Sequence, residues 1–307
     1  MKAVITGATG AIGRALIDEL ISLGDEVLVL SRASSKRTAL LPKHERVRIV
    51  DCPLASMAEY TPADNESYDV FFHFAWEGTT GDSRNDMYLQ NNNVKYTLDA
   101  VELAARFGCH TFIGAGSQAE YGRVQGKLTS DTPAFPENGY GMAKLCASHM
   151  SRVACEKLGI RHIWTRILSV YGPYDGENSM VTSTIRKLLT GERASFTPGE
   201  QVWDYMYSGD AAKAMVALAQ KGISGKVYCL GSGEARMLRE YIEMIRDAAA
   251  PEAELGLGDV PYAPKQVMYL CADITDLKED TGYAPSTPFA EGIAHTVEWY
   301  KNRNTER

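Results

Sequence analysis

Tyr140 and Lys144 stand four residues apart in the run Tyr140-Gly141-Met142-Ala143-Lys144, where the pattern predicts a helix over 141–158. On a helix that spacing brings both side chains to one face, where they can share a partner. The chemistry that suits such a pair is proton transfer. A phenol titrates at about pH 10 and is a poor base at neutral pH, but a neighbouring ammonium stabilises the phenolate and lowers that value. Ser117 follows the apolar run Thr111 to Gly114. It therefore falls at the C-terminal end of a predicted strand, where open α/β sheets collect their ligands. Its hydroxyl is placed to hold a carbonyl or alcohol oxygen for the tyrosine.

A second constellation lies at the N-terminus, where Gly7, Thr9, Gly10, Ala11, Ile12 and Gly13 separate the apolar run Ala3-Val4-Ile5 from a helical pattern. A strand, a glycine turn and a helix in that order form a seat for a dinucleotide pyrophosphate. Glycine lets the backbone N–H groups approach the phosphates, and the helix N-terminus favours an anion. The spacing Gly-x-x-Gly-x-x-Gly is one residue looser than the Gly-x-Gly-x-x-Gly dinucleotide fingerprint. An NAD-selective protein places an acid about 20 residues past the glycines, at the end of the second strand. Here that place reads Ser31-Arg32, with Lys36 and Arg37 close behind. A guanidinium without a carboxylate fits a 2′-phosphate better than a free hydroxyl, so NADP is favoured over NAD. Asp51, at the end of the third strand, is expected at the adenine edge. Phe74, Ala75 and Trp76, at the end of the fourth, are expected near the ribose and phosphates.

The elements that must position these groups alternate. Apolar runs at 26–30, 47–50, 70–74, 111–114 and 162–167 read as strands buried on both faces, with helical patterns at 13–23, 88–107 and 141–158. This rhythm predicts an α/β protein with a doubly wound parallel sheet. Residues 1–172 are expected to form the dinucleotide-binding domain, rejoined by about 204–232. The rest of 173–307, punctuated by Pro198, Pro251, Pro261, Pro264, Pro285 and Pro288, is expected to form a smaller α/β substrate lobe.

Composition bounds the partners. With 32 basic against 39 acidic residues and a formal charge of −7, the 307-residue chain is not expected to bind nucleic acid or coat an anionic membrane. The six cysteines form no Cys-x-x-Cys pair and make no metal cluster with the histidines, so no metal is expected and a reducing cytoplasm suits them. No apolar run reaches the ~20 residues of a membrane span.

Taken in order, these motifs resemble the extended short-chain dehydrogenase/reductases of the NAD-dependent epimerase/dehydratase type, which act mainly on nucleotide sugars. The likeness rests on the glycine turn, His73-Phe74-Ala75, Asn93-Val94, Ser117 through Gly122, and Tyr140 through Lys144. It continues through RILSVYGP (166–173), DYMYSGD (204–210), Gly231-Ser232-Gly233 and the closing Gly282-Tyr283-Ala284-Pro285. The resemblance implies a Rossmann fold, Tyr140 as general acid/base, Lys144 as its pKa-lowering partner and ribose ligand, and Ser117 as the substrate-oxygen donor. Asn93 is implied to support the lysine through a water. Cys52 and Leu168 join the implied cofactor set; Gln118, Ser169, Trp203 and Lys265 join the implied substrate set.

Departures matter as much as matches. The Asp-Glu pair that follows the Ser/Thr in the 4,6-dehydratases is here Gln118-Ala119, which argues against dehydration. Trp203 stands where many members carry an arginine for a nucleotide phosphate. The residues then leave open a nucleotide-sugar 4-ketoreductase, favoured by Ser31-Arg32, a C4 epimerase with tightly held NAD, or a dinucleotide-binding scaffold without turnover. The resemblance also implies a homodimer packed through the two long helices, with Leu98, Val101, Leu103, Met150 and Val153 at the seam.

Overall fold

The computed structural model describes residues 1–63 and 66–305. In chain order the first half holds β1 (Lys2–Thr6), α1 (Ala11–Ser22), β2 (Glu26–Ser31), β3 (Val47–Asp51), β4 (Val70–His73), α2 (Met87–Arg106) and β5 (Thr111–Ser117). Then come α3 (Gly139–Leu158), β6 (Arg161–Ile167), β7 (Ser169–Tyr171), α4 (Met180–Leu189), β8 (Ala194–Phe196), β9 (Val202–Trp203) and β10 (Tyr205–Tyr207). The remainder is α5 (Ser208–Lys221), β11 (Val227–Leu230), β12 (Arg236–Met237), α6 (Leu238–Ala249), β13 (Leu255–Leu257), α7 (Thr275–Thr281) and α8 (Phe289–Thr305).

Seven strands form one parallel sheet in the order β11-β6-β5-β4-β1-β2-β3. The order reverses between β1 and β4, so a crevice opens above their C-terminal ends, the place where doubly wound sheets bind ligands. The glycine turn leaves β1 into this crevice, and Phe74 to Trp76 leave β4 beside it. On one face of the sheet, Leu16, Ile17 and Leu20 of α1 and Ala211, Met215 and Leu218 of α5 are buried in a common core. On the other, α2 and α3 cover it, with Ala100, Val101, Leu103 and Ala104 of α2 buried against Phe71 and Phe112. The central strands β1 and β4 are buried on both faces and apolar over most of their length, whereas the edge strand β3 is largely exposed and β6 carries buried polar residues at His162, Thr165 and Arg166.

The helix ends follow from local chemistry. Asp86 caps α2 by accepting from the Leu89 N–H at 3.1 Å, and Asn138 caps α3 by accepting from Gly141 N–H at 2.8 Å. Gly159 closes α3 in the left-handed region at φ 68°.

β5 runs beyond the predicted end at Gly114, through Gly116 to Ser117. Its two glycines make no turn. A Cβ at either would strike the indole of Trp164 on β6, so they exist to let that fully buried ring lie flat against the strand.

Beyond β6, three two-stranded sheets (β7 with β10, β8 with β13, β9 with β12) and the helices α4, α6 and α8 pack around Tyr171, Tyr241 and Phe289. Between these pieces the chain returns to the main sheet: α5 packs on α1, and β11 adds the edge strand beside β6. Asp204 has no exposure, and its carboxylate accepts from Ser232 N–H, Ser232 hydroxyl, Gly233 N–H and Ala272 N–H. Asp210 likewise accepts from the Tyr283 hydroxyl and from the N–H groups of Ser286 and Thr287. The two aspartates of the DYMYSGD run therefore bind distant segments to the sheet.

Val101 and Leu103 correct the expected helix seam. Both are fully buried against the protein's own sheet, whereas Met150 and Val153 are exposed. An amphipathic helix can give one stripe only to its sheet, and α2 gives these residues.

Candidate active site

Two adjoining cavities, of about 370 and 360 Å³, run along the C-terminal edge of the sheet and share Gly7, Gly10, Phe74, Trp76 and Thr79. The first is lined by Thr9, Ser31, Arg32, Arg37, Cys52, Ala75 and Glu77 among others. The second holds Ala11, Ile12, Gly13, Ser117, Tyr140, Lys144, Leu168 and Asp175. An elongated cleft that crosses a glycine turn in its middle fits a dinucleotide. At the turn, Gly7 has φ +71°, and a Cβ there would lie 2.6 Å from the Ala75 nitrogen; a Cβ on Gly13 would lie 2.6 Å from the Gly7 oxygen. Only glycine allows the three segments to meet.

At the end of the cleft lined by β2 no carboxylate follows that strand. Ser31 Oγ shares a hydrogen bond with Thr38 Oγ1, and Arg32 lies 3.8 Å from Glu77. Arg37 donates to the carbonyls of Thr9 and Tyr174, each at 2.8 Å, tying the glycine turn to the loop after β7. Asp51 does not line the cavity. Its carboxylate accepts from Ala33 N–H at 2.7 Å and orders the Arg32 loop, so its use is structural.

At the other end, Tyr140 and Lys144 rise from the first turns of α3 and Ser117 ends β5, as the spacing predicted. Glu120 fixes Ser117 from below: it accepts from Ser117 N–H at 2.8 Å, from Trp164 Nε1 at 3.0 Å and from Arg166 Nε at 2.8 Å. Lys144 Nζ donates to Ala115 O at 2.5 Å and lies 5.8 Å from the Tyr140 ring centre. The guanidinium of Arg84 covers the Tyr140 ring at 4.3 Å.

The electrostatics differ from the expected lowering of the phenol by the lysine. Burial pushes the Tyr140 phenol up, opposed by its hydrogen bond with Ser117 and the charge of Arg84. Burial also pulls Lys144 down to about 7, against the favourable charge of Glu120. Desolvation is the dominant cause for both groups. Tyr140 consequently holds its proton at neutral pH.

Asn93 sits on α2. Its side chain accepts from Glu77 N–H and donates to the Glu77 and Leu89 carbonyls, and it lines neither cavity. It braces the loop that carries Trp76. Gln118, Ser169, Trp203 and Lys265 also lie outside both cavities. Trp203 Nε1 donates to Ser169 Oγ at 2.8 Å, so these two residues satisfy one another.

Arg84, Glu77 and Thr79 are additions that the motifs did not single out. All sit on the 11-residue stretch 76–86 between β4 and α2, with Gly78 and Gly81 at positive φ. A glycine-bearing connection of that length at the reversal point of the sheet was the available signal. Among the described residues, no group of three or more His, Cys, Asp or Glu side chains is arranged to hold a metal ion, and no helix is long and apolar enough to cross a membrane.

Comparison with known proteins agrees with this geometry. The chain is 29% identical to the UDP-glucose 4-epimerase of Mycolicibacterium smegmatis, over 99% of this chain and all of that one. It is 25% identical to a dTDP-glucose 4,6-dehydratase of Streptomyces griseus, over 97% of this chain and 93% of the relative. In fold it is similar to the UDP-N-acetylglucosamine 4-epimerase of Methanobrevibacter ruminantium, with a TM-score of 0.88, 23% identity and 98% of each chain covered. Residues 3–231 match the NAD dependent epimerase/dehydratase family, and the chain belongs to that family.

Proposed function

We propose that the protein is a nucleotide-sugar 4-ketoreductase that takes its hydride from NADPH. The observation that carries this reading is the adenosine-facing end of the cleft, where Ser31, Ser35, Arg32 and Arg37 converge and Asp51 is turned away to Ala33. Two guanidiniums and two hydroxyls suit a 2′-phosphate.

The nicotinamide supplies the hydride when it is bound. Tyr140 gives the proton: its hydroxyl, kept neutral by burial, transfers H⁺ to the ketone oxygen as that oxygen gains the electron pair of the C=O bond. Ser117 steadies the same oxygen, and Lys144 favours the phenolate left on Tyr140 until solvent reprotonates it. Dehydration is not supported, because Gln118 and the buried Ala119 supply no carboxylate, and the one carboxylate bonded to Ser117, that of Glu120, is fully buried and paired with Arg166.

A C4 epimerase with retained NAD is the second reading. It is favoured by Glu77, a carboxylate at the adenosine-facing end that can accept from a ribose hydroxyl, and by the full-length epimerase relatives. Mass and absorbance of the protein as isolated separate the two. The reductase releases its dinucleotide and binds NADPH more tightly than NADH. One equivalent of NAD that survives purification and ignores NADPH overturns it.

Pairing of two copies through the exposed side of α2 and α3, around Met150 and Val153, belongs to the same proposal.

A further inference from the structure

Lys144 is a cation with almost no water left around it. The residue is 3% exposed, and its ammonium donates to the Ala115 carbonyl. An ammonium has three donors, so one carbonyl replaces only part of its hydration. Trp76 faces the rest. The centre of its ring lies 3.7 Å from Lys144 Nζ, well inside the ~6 Å over which a ring face attracts a cation.

The indole is held in that attitude. Its Nε1 donates to Gln90 Oε1 at 2.8 Å, and Gln90, itself buried, donates to the carbonyls of Gly78 and Ser83 at 2.8 and 2.9 Å. The same ring meets Tyr140 edge to face, with centres 6.1 Å apart. One side chain thus touches both members of the proton-transfer pair.

We propose that Trp76 is a positioning residue for proton transfer: its π face completes the solvation of the Lys144 ammonium, and its perpendicular packing on Tyr140 sets the plane of that ring. This rests on the reading of Tyr140 and Lys144 as the reacting pair. An aliphatic side chain of similar size would fill the space but return nothing to the cation.

The other charged or titratable groups facing this cation come from several elements. They are Tyr140 on its own helix, Glu120 with its partner Arg166 beneath Ser117, His73 at the end of β4, Arg84 over Tyr140, and Asp175 across the cleft. Burial leaves Lys144 at about 7, so a modest change in its surroundings alters its charge near neutrality.

The test needs no sugar substrate. The full chain is labelled with ¹³C at lysine Cε, and the Lys144 resonance is assigned by its loss in Lys144→Met. In Trp76→Leu the Lys144 midpoint should fall by about half to one pH unit, and in Trp76→Phe, which keeps a ring face, by less. If Trp76→Leu does not fold, graded fluorination of tryptophan weakens the ring face without changing its shape. Of the four tryptophans only Trp76 lies over Lys144, and the midpoint should fall stepwise with fluorine content. A midpoint that stays put in these series, or rises, overturns the proposal. Failure of the underlying reading looks different: Tyr140→Phe would leave turnover intact while the lysine titration still responded to Trp76.

Discussion

Glu120 meets Arg166 at 2.8 Å with neither side chain open to solvent, and the same carboxylate holds the backbone of Ser117. Removing one partner of such a pair strands the other charge in the core. Glu120→Ala should therefore cost about 3–5 kcal/mol of stability, measured by urea unfolding. Glu120→Gln, which keeps an acceptor for Ser117 and Trp164, should cost less. Equal loss in the two variants would mean that the charge is immaterial.

Tyr140→Phe removes the proton donor and leaves the ring beneath Arg84. Turnover should fall by about 10²–10⁴-fold, the usual worth of a placed acid or base. Dinucleotide affinity, followed by calorimetry, should stay within a few-fold.

Cofactor choice is testable at Arg32, which is exposed and paired only loosely with Glu77. If its guanidinium meets a 2′-phosphate, Arg32→Ala should weaken NADPH by roughly 10- to 100-fold, the range of a hydrogen bond to a charged group. NADH binding should change little. Equal losses for both dinucleotides would count against NADP selection.

Acid should destabilise the fold through two buried histidines. Burial, aided by the charge of Lys144, pulls His73 down to about 3; burial, aided by Arg152, pulls His162 to about 4. Unfolded histidine titrates at about 6.5. Their contribution is thus complete above that pH, and it is lost as the pH falls toward 4 and the unfolded chain takes up protons first. For His162 the loss is on the order of 3 kcal/mol. Urea midpoints between pH 7 and 4 should fall less steeply in His162→Gln than in the parent.

A paired state through α2 and α3 predicts that Met150→Glu with Val153→Glu gives monomers by light scattering. These positions are 44% and 42% exposed, so the fold itself should tolerate the charges.

What could be read from the chain was what depends on local spacing. Tyr140 and Lys144 share a face because of helical geometry, and Gly7 needs positive φ whatever surrounds it. The sheet order follows the strand and helix rhythm up to β6. Relationships across elements were not legible. Nothing in periodicity says that Asn93 turns to Glu77, that Asp51 serves Ala33, or that Trp76 lies on Lys144. The direction of the Tyr140 pKa is hidden for a related reason: spacing reveals the neighbouring lysine but not the depth at which both are buried.

Gly114 and Gly116 impose a constraint on how this protein can change over generations. Any side chain at either position displaces Trp164, which in turn bonds the carboxylate that seats Ser117. The strand that ends at Ser117 is therefore closed to side chains at these two positions.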